Sequence, residues 1–271
     1  MDKILQKYID YISDDKSQKT VQAYKKDIEQ FLQYFKDKNI DLFTKIDIEN
    51  YKDYLLYTCK LAISSINRKL IAIHEYFEYY GKTILIKQIK TQNQNFLENV
   101  LSPSDISELL YITKKKYDYR AYTLINTLKL TGMRISECLQ LTIYDIDKNT
   151  INIIGKGNKR RNVFIPGKLN ENWNEYMKHR FNNSTQLFTG QRGAITRSTA
   201  YRTVQKYGAM VGIDKEKLFP HNLRHSYCLM LAKKHIPIED ISALVGHVDI
   251  NITKQYLRKT KEELLDIIND I

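Results

Sequence analysis

The chain has 271 residues, more than one core of about 100–200 residues usually takes, so two domains are expected. Apolar residues make up 42% of it, no run of about 18 apolar residues occurs, and Met1-Asp2-Lys3-Ile4 turns polar at once, so neither a membrane span nor a signal peptide is expected. The net charge of +12, divided as +3 over residues 1–90 and +9 over residues 91–271, favours a polyanionic partner, nucleic acid ahead of a membrane surface.

Residues 1–86 read as a helical module. Leu5, Tyr8, Ile9 and Ile12 recur at helical spacing, as do Tyr24, Ile28, Phe31, Leu32 and Phe35. Thr44-Lys-Ile-Asp47 has the form of a capping box opening a third helix that runs to about Thr58. Ser64 or Ser65 is the expected cap of a fourth, which carries Leu70, Ile73 and Phe77 and stops at Gly81. Arg68 and Lys69, near the start of that helix, are placed to reach a DNA phosphate or simply to face solvent. A polar stretch with Gln92-Asn93-Gln94-Asn95 follows, and residues 87–101 read as a linker.

Ser102-Pro103-Ser104-Asp105 combines a cap residue, a proline at the first helical position and a carboxylate, and it opens a second domain over residues 102–271. Tyr119 to Leu130 is helical and ends at Gly132. Ile151-Asn-Ile-Ile154 and Asn162-Val-Phe-Ile165 flank Gly155-Lys-Gly-Asn158 as a hairpin. Helices resume at about 168–181, 198–211, 221–235, 238–245 and 250–257. The fold class expected is mostly α: a four-helix N-terminal domain, then a mainly α domain with a small antiparallel sheet.

Four short motifs in the second domain bear chemistry. In Thr131-Gly-Met-Arg-Ile-Ser-Glu137, Glu137 lies one turn after Arg134 and can orient it, although a surface ion pair has the same spacing. The turn Gly155-Lys-Gly-Asn-Lys-Arg-Arg161 offers Lys156, Lys159, Arg160 and Arg161 to a groove of DNA; it lacks the spacing of a phosphate-binding Walker loop. In Pro220-His-Asn-Leu-Arg-His225, His221 and Arg224 share one helix face. Gly246-His247 is followed nine residues later by Tyr256. No metal site is expected, since His221, His225 and His247 lack cysteine or carboxylate partners, and the odd, scattered Cys59, Cys138 and Cys228 suit neither zinc nor a disulfide framework. A reducing, cytoplasmic compartment fits those cysteines.

The motifs TGMRISE (131–137), GKGNK (155–159), PHNLRHS (220–226) and GH (246–247), with Tyr256 downstream, resemble those of the tyrosine recombinase (integrase) family, particularly its simple Xer-like members. Ser17, Thr20, Tyr24, Asp27 and Phe31 look like that family's core-binding domain, so the likeness spans nearly the whole chain. One threonine in Asp249-Ile-Asn-Ile-Thr-Lys-Gln255, where the family often has two, and Leu257 after the tyrosine are departures that touch the subfamily only.

The resemblance implies an enzyme that needs no cofactor. Tyr256 would attack a phosphodiester and keep the energy of the broken bond in a 3′-phosphotyrosyl ester. Arg134, Arg224 and His247 would clamp the phosphate, Lys156 would protonate the leaving 5′ oxygen, and His221 would act as base or acid toward Tyr256. It also implies double-stranded DNA bearing a specific recombination site, and a homotetramer, or a ring with a related recombinase, on two such sites. Leu264, Ile267, Ile268 and Ile271 form an apolar stripe at i, i+3, i+4 and i+7, so residues 260–271 are the expected protomer-exchange helix. Because the core-binding helices start the chain, no binding of arm sites is expected. Two rivals carry different activities: a type IB-like topoisomerase with nearly the same residues, and a non-catalytic DNA-binding regulator with no use for Tyr256.

Overall fold

The computed structural model describes residues 3–36, 38–90, 99–155, 160–180, 183–246, 249–256, 265 and 267–269, and at 3, 252, 255 and 256 the backbone alone. The chain divides into two compact units, Met1–Asn93 and Gln94–Ile271.

Among the described residues, the first unit has four α-helices: α1 (Lys3–Ser13), α2 (Gln18–Tyr34), α3 (Lys45–Asp53) and α4 (Ile63–Tyr79). Ser17 caps α2 by accepting from the Thr20 N–H. Thr44 and Asp47 close a capping box on α3, whose chain runs on as one π-helical turn, Tyr54–Thr58. The helix therefore reaches Thr58, with its last turn widened. The start of α4 differs from expectation: Ala62 is its N-cap, with no side-chain bond, and Ser64 and Ser65 lie inside the first turn. The apolar stripes meet in one core built from Leu5, Tyr8, Ile28, Phe31, Ile48, Tyr51, Leu70, Ile73 and Phe77.

The second unit opens with α5 (Pro103–Lys115), capped by the Ser102–Asp105 box, and continues with α6 (Tyr119–Thr131) and the short α7 (Ile135–Cys138). A hairpin of β1 (Thr150–Ile154) and β2 (Arg160–Phe164) follows, antiparallel, with Ile151 opposite Val163 and Ile153 opposite Arg161. Then come α8 (Gly167–Met177), a two-residue ladder of β3 (Thr189–Gly190) and β4 (Gly193–Ala194), α9 (Arg197–Met210), α10 (Pro220–Lys233), α11 (Ile238–Val245) and α12 (Ile250–Tyr256). Helix α6 is the axle, packed against α5, α8, α9 and α10. Leu124, Ile125 and Leu128 fill the core around it, and the buried Trp173 indole donates to Thr127 Oγ1 at 2.9 Å. The hairpin joins this core through Ile151, Ile153 and Val163. The chain is thus mostly α, with small antiparallel sheets.

Candidate active site

Glu137 is the hub of the site, with its side chain 1% exposed. It reaches back from the first turn of α7 so that Oε2 accepts from the Arg134 backbone N–H at 2.8 Å. Its Oε1 accepts from Arg134 Nη1 at 2.9 Å, and Oε2 also accepts from Arg161 Nη2 at 2.9 Å. Burial alone would favour the neutral acid, but the bond and charge of Arg161, with the amide and guanidinium of Arg134, hold the carboxyl below its ordinary range. It is therefore a fixed anion at neutral pH. The Arg134 side chain keeps 33% exposure, so this anion aims a guanidinium that solvent still reaches.

Arg224 is built differently. Its side chain has no exposed surface. Nη1 donates to the Gly132 carbonyl at 2.8 Å and Nη2 to the Val245 carbonyl at 2.7 Å. Those carbonyls lie where α6 and α11 end, each at a left-handed glycine cap, Gly132 (φ 59°) and Gly246 (φ 68°). Two helix C-termini thus face one cation, the favourable sense for a helix dipole. Two of its five N–H groups are used there, and Nε has no partner among the described residues. Desolvation and then the nearby Arg134 push Arg224 down to about 10, which leaves it a cation at neutral pH.

His221 sits one turn before Arg224 in α10 and is exposed. The protein around it and the Arg224 and Arg134 charges hold the imidazole below its ordinary value, so it is neutral at pH 7 and can accept a proton. Tyr256 lies in α12, which packs against α10 and α11. The side chain of Tyr256 and the whole of Lys156, Lys159 and His247 lie outside the described residues. Residue 246 immediately precedes His247, and residue 160 closely follows the Lys156–Lys159 turn. Among the described residues, no group of three or more His, Cys, Asp or Glu side chains is arranged to hold a metal.

Three residues expected to meet DNA have partners within the protein. Lys69 is 7% exposed, and its ammonium donates to Asp27 Oδ1 at 2.8 Å and Gln30 Oε1 at 2.5 Å; this charge serves the fold of the first unit and is not presented to a phosphate. Arg68 keeps 47% side-chain exposure, but both ends of its guanidinium are committed to the buried Asp27. Arg161 turns inward, 13% exposed, onto Glu137 and the Leu244 carbonyl. Arg160 alone of the described hairpin cations is exposed. The orienting carbonyls of Gly132, Leu244 and Val245 carry no sequence signal. The inward turn of Arg161 does, because it alternates with Val163 and Ile165 on the buried face of the hairpin.

Known proteins share this pattern. Residues 99–263 match the Phage integrase family, and residues 5–81 match the Phage integrase N-terminal SAM-like domain. A tyrosine recombinase of Pseudothermotoga lettingae is 30% identical over 289 residues, covering 100% of this chain and 99% of that one. Tyrosine recombinase XerC of Herpetosiphon aurantiacus is 27% identical, covering 94% and 90%. Among solved structures, XerH site-specific recombinase bound to a palindromic difH substrate superposes with a TM-score of 0.78 at 24% identity, over 97% of this chain and 83% of that one. A lambda integrase tetramer bound to a Holliday junction gives 0.77 at 14% identity, over 93% and 76%. With both domains matched in order and a whole-length relative at 30% identity, the chain belongs to the phage integrase family, the tyrosine recombinases.

Proposed function

We propose that this protein is a site-specific DNA recombinase in which Tyr256 attacks a backbone phosphate, holds the 3′ end as a phosphotyrosyl ester, and yields it to a 5′ hydroxyl of a partner duplex. One observation carries the reading: Arg134 and Arg224, from separate motifs, meet around the ends of α6 and α7, with neutral His221 on the same helix as Arg224. Arg134 supplies a partly exposed guanidinium aimed by Glu137, and Arg224 keeps three N–H groups beyond its two carbonyl bonds. Fixed cations at that point stabilise the charge that grows on pentacoordinate phosphorus. Because Arg224 is fully covered, the phosphate reaches it only after a local rearrangement as DNA seats. His221 takes the phenolic proton of Tyr256, Lys156 returns a proton to the leaving 5′ oxygen, and His247 adds a hydrogen bond to the phosphate. No high-energy cofactor is needed, since one ester is exchanged for another.

The partners we propose are a duplex with a defined site and further copies of this chain, in the cytoplasm where such DNA lies. Ile267 and Ile268 of the tail are exposed. The tail also carries Glu262, Glu263, Asp266 and Asp270. In the second unit a cavity of about 640 Å³ is lined by Leu101, Ile106, Tyr227 and Met230, with Lys129, Lys217, Lys233 and Lys234 beside them. Apolar stripe and acidic flanks complement apolar floor and basic surround, so a neighbouring protomer's tail is the occupant the chemistry favours.

The test is to mix wild-type and Tyr256→Phe proteins with fragmented genomic DNA from the source organism, quench with SDS, and sequence DNA left attached to protein. Enrichment of one locus by wild type alone supports the reading. Even enrichment points to a topoisomerase, and no attachment despite salt-sensitive DNA binding points to a regulator.

A further inference from the structure

Arg161 stands where two parts of the site are joined. Its strand β2 puts it opposite Ile153, on the face shared with buried Val163, while its neighbour Arg160 faces solvent. One end of its guanidinium donates to Glu137 Oε2 at 2.9 Å, and the other donates to the Leu244 carbonyl at 2.9 Å. Between these ends the side chain lies flat against Gly246: a Cβ built there would stand 2.3 Å from Arg161 Cδ and 2.9 Å from Nε. Gly246 has φ 68° and ends α11, so this close approach and the left-handed turn make separate demands on one residue. The next residue in the chain is His247.

We propose that Arg161 is a positioning residue: it ties the C-terminal end of α11, and with it the turn leading to His247, to the same buried carboxylate that orients Arg134. The inference rests on the reading that Tyr256, Arg134 and His247 act on a DNA phosphate. Arg161 serves that reaction from behind and does not touch the DNA. One planar fork serves the carboxylate and the helix end together, so Lys, a point charge on a flexible stem, keeps the charge but serves only one of them. The hairpin bearing Lys156 is anchored by the same contact, since Arg161 lies five positions beyond it in the chain. The carboxylate therefore sets the relative placement of Arg134, the hairpin and the α11 turn through a single guanidinium.

The experiment uses the full chain, the duplex recovered by covalent trapping, and the variants Arg161→Lys, Arg161→Ala and Gly246→Ala. Binding is titrated against salt, and covalent complex formation is followed in a single turnover at saturating protein. Positioning predicts unchanged affinity and salt slope, with covalent formation slowed about 10- to 100-fold in Arg161→Ala, the loss expected when reacting groups are misplaced by an ångström. Arg161→Lys should fall between wild type and Ala. Millimolar guanidinium, but not sodium chloride of equal ionic strength, should restore part of the Ala variant's rate. Gly246→Ala, which displaces the Arg161 side chain and also strains the left-handed turn, should slow the same step with the salt slope unchanged, even if the Arg161 variants fold poorly. A salt slope lowered by about one in Arg161→Ala would make it a phosphate contact and overturn the inference. Wild-type rates in Arg161→Lys and Gly246→Ala would overturn it equally. If the wild-type protein forms no covalent complex, the parent reading fails first and this one falls with it.

Discussion

Replacing Glu137 by Gln removes the negative charge that two guanidiniums share, and the cost follows from its three accepted bonds. The amide oxygen does best at the Oε2 position, where it still accepts from the Arg134 N–H and Arg161 Nη2, now without charge assistance. The new NH2 then faces Arg134 Nη1, donor against donor. One bond to a charged group is worth about 1.5–3 kcal/mol, and charge-assisted bonds are about twice as strong as neutral ones. Arg134 recovers some loss by turning to water, as its 33% exposure allows, whereas Arg161 at 13% cannot. The sum is about 3 kcal/mol, or a fall of about 6–12 °C in the melting transition of residues 94–271 at 2–4 °C per kcal/mol. The sign with pH is fixed as well. The folded carboxyl titrates below its ordinary 4.5, so its contribution is complete above that value and is lost as pH falls through the folded value. Calorimetry of wild type and Glu137→Gln from pH 7 to pH 3 should show a gap that is constant at first and closes on acidification. A Gln variant melting within about 1 °C of wild type at pH 7 would refute the argument.

Asp27→Asn should destabilise residues 1–93 by about 2–4 kcal/mol, since it strands the buried Lys69 ammonium, and should leave the second unit's transition in place; two shifted transitions would contradict this. Lys69→Met should leave the salt dependence of DNA binding unchanged, as a residue spent on Asp27 and Gln30 releases no counterion. Gly132→Ala should cost about 1–3 kcal/mol, because the residue has φ +59° and its Cβ would stand 2.4 Å from Tyr227 Cδ1; the double variant with Tyr227→Leu should recover part of this in denaturant unfolding. On the acid side, cleavage at limiting DNA, which reports the free protein, should hold from about pH 9 down to pH 7 and fall only below about 6.5, because His221 is depressed and must be neutral to accept a proton. A fall that begins above pH 7 would rule His221 out as that base.

Most of the fold was legible because it is written in periods and caps. The stripes Leu5–Tyr8–Ile12 and Leu70–Ile73–Phe77 became the first core, and the Thr44 and Ser102 boxes began α3 and α5 where their spacing predicts. The Ser64/Ser65 cap failed because Ala62 already has the extended backbone of an N-cap, so the helix starts without a side-chain acceptor. Short α7 and the β3–β4 ladder are too brief for either period to register. In the site, Arg134, Glu137, His221 and Arg224 stood out by residue type and spacing, and these come together. What the charges do inside was only partly legible: the alternation of Arg161 with Val163 and Ile165 turns it inward, but Lys69 looks like its neighbour Arg68, and only its tertiary partners bury it. Backbone acceptors such as Gly132 and Val245 carry no residue signature at all, yet they take both ends of Arg224.

The central claim concerns one oxygen atom, and peptide mapping tests it most directly. Wild-type protein trapped on its DNA is digested with nuclease and trypsin, and the peptide that retains a nucleotide is sequenced by mass spectrometry. Cleavage after Lys254 and Arg258 releases Gln255-Tyr-Leu-Arg258, and the nucleotide phosphate should be found on Tyr256 of that peptide. A nucleotide on any other of the chain's 20 tyrosines, or a trapped adduct that persists in Tyr256→Phe, would contradict it.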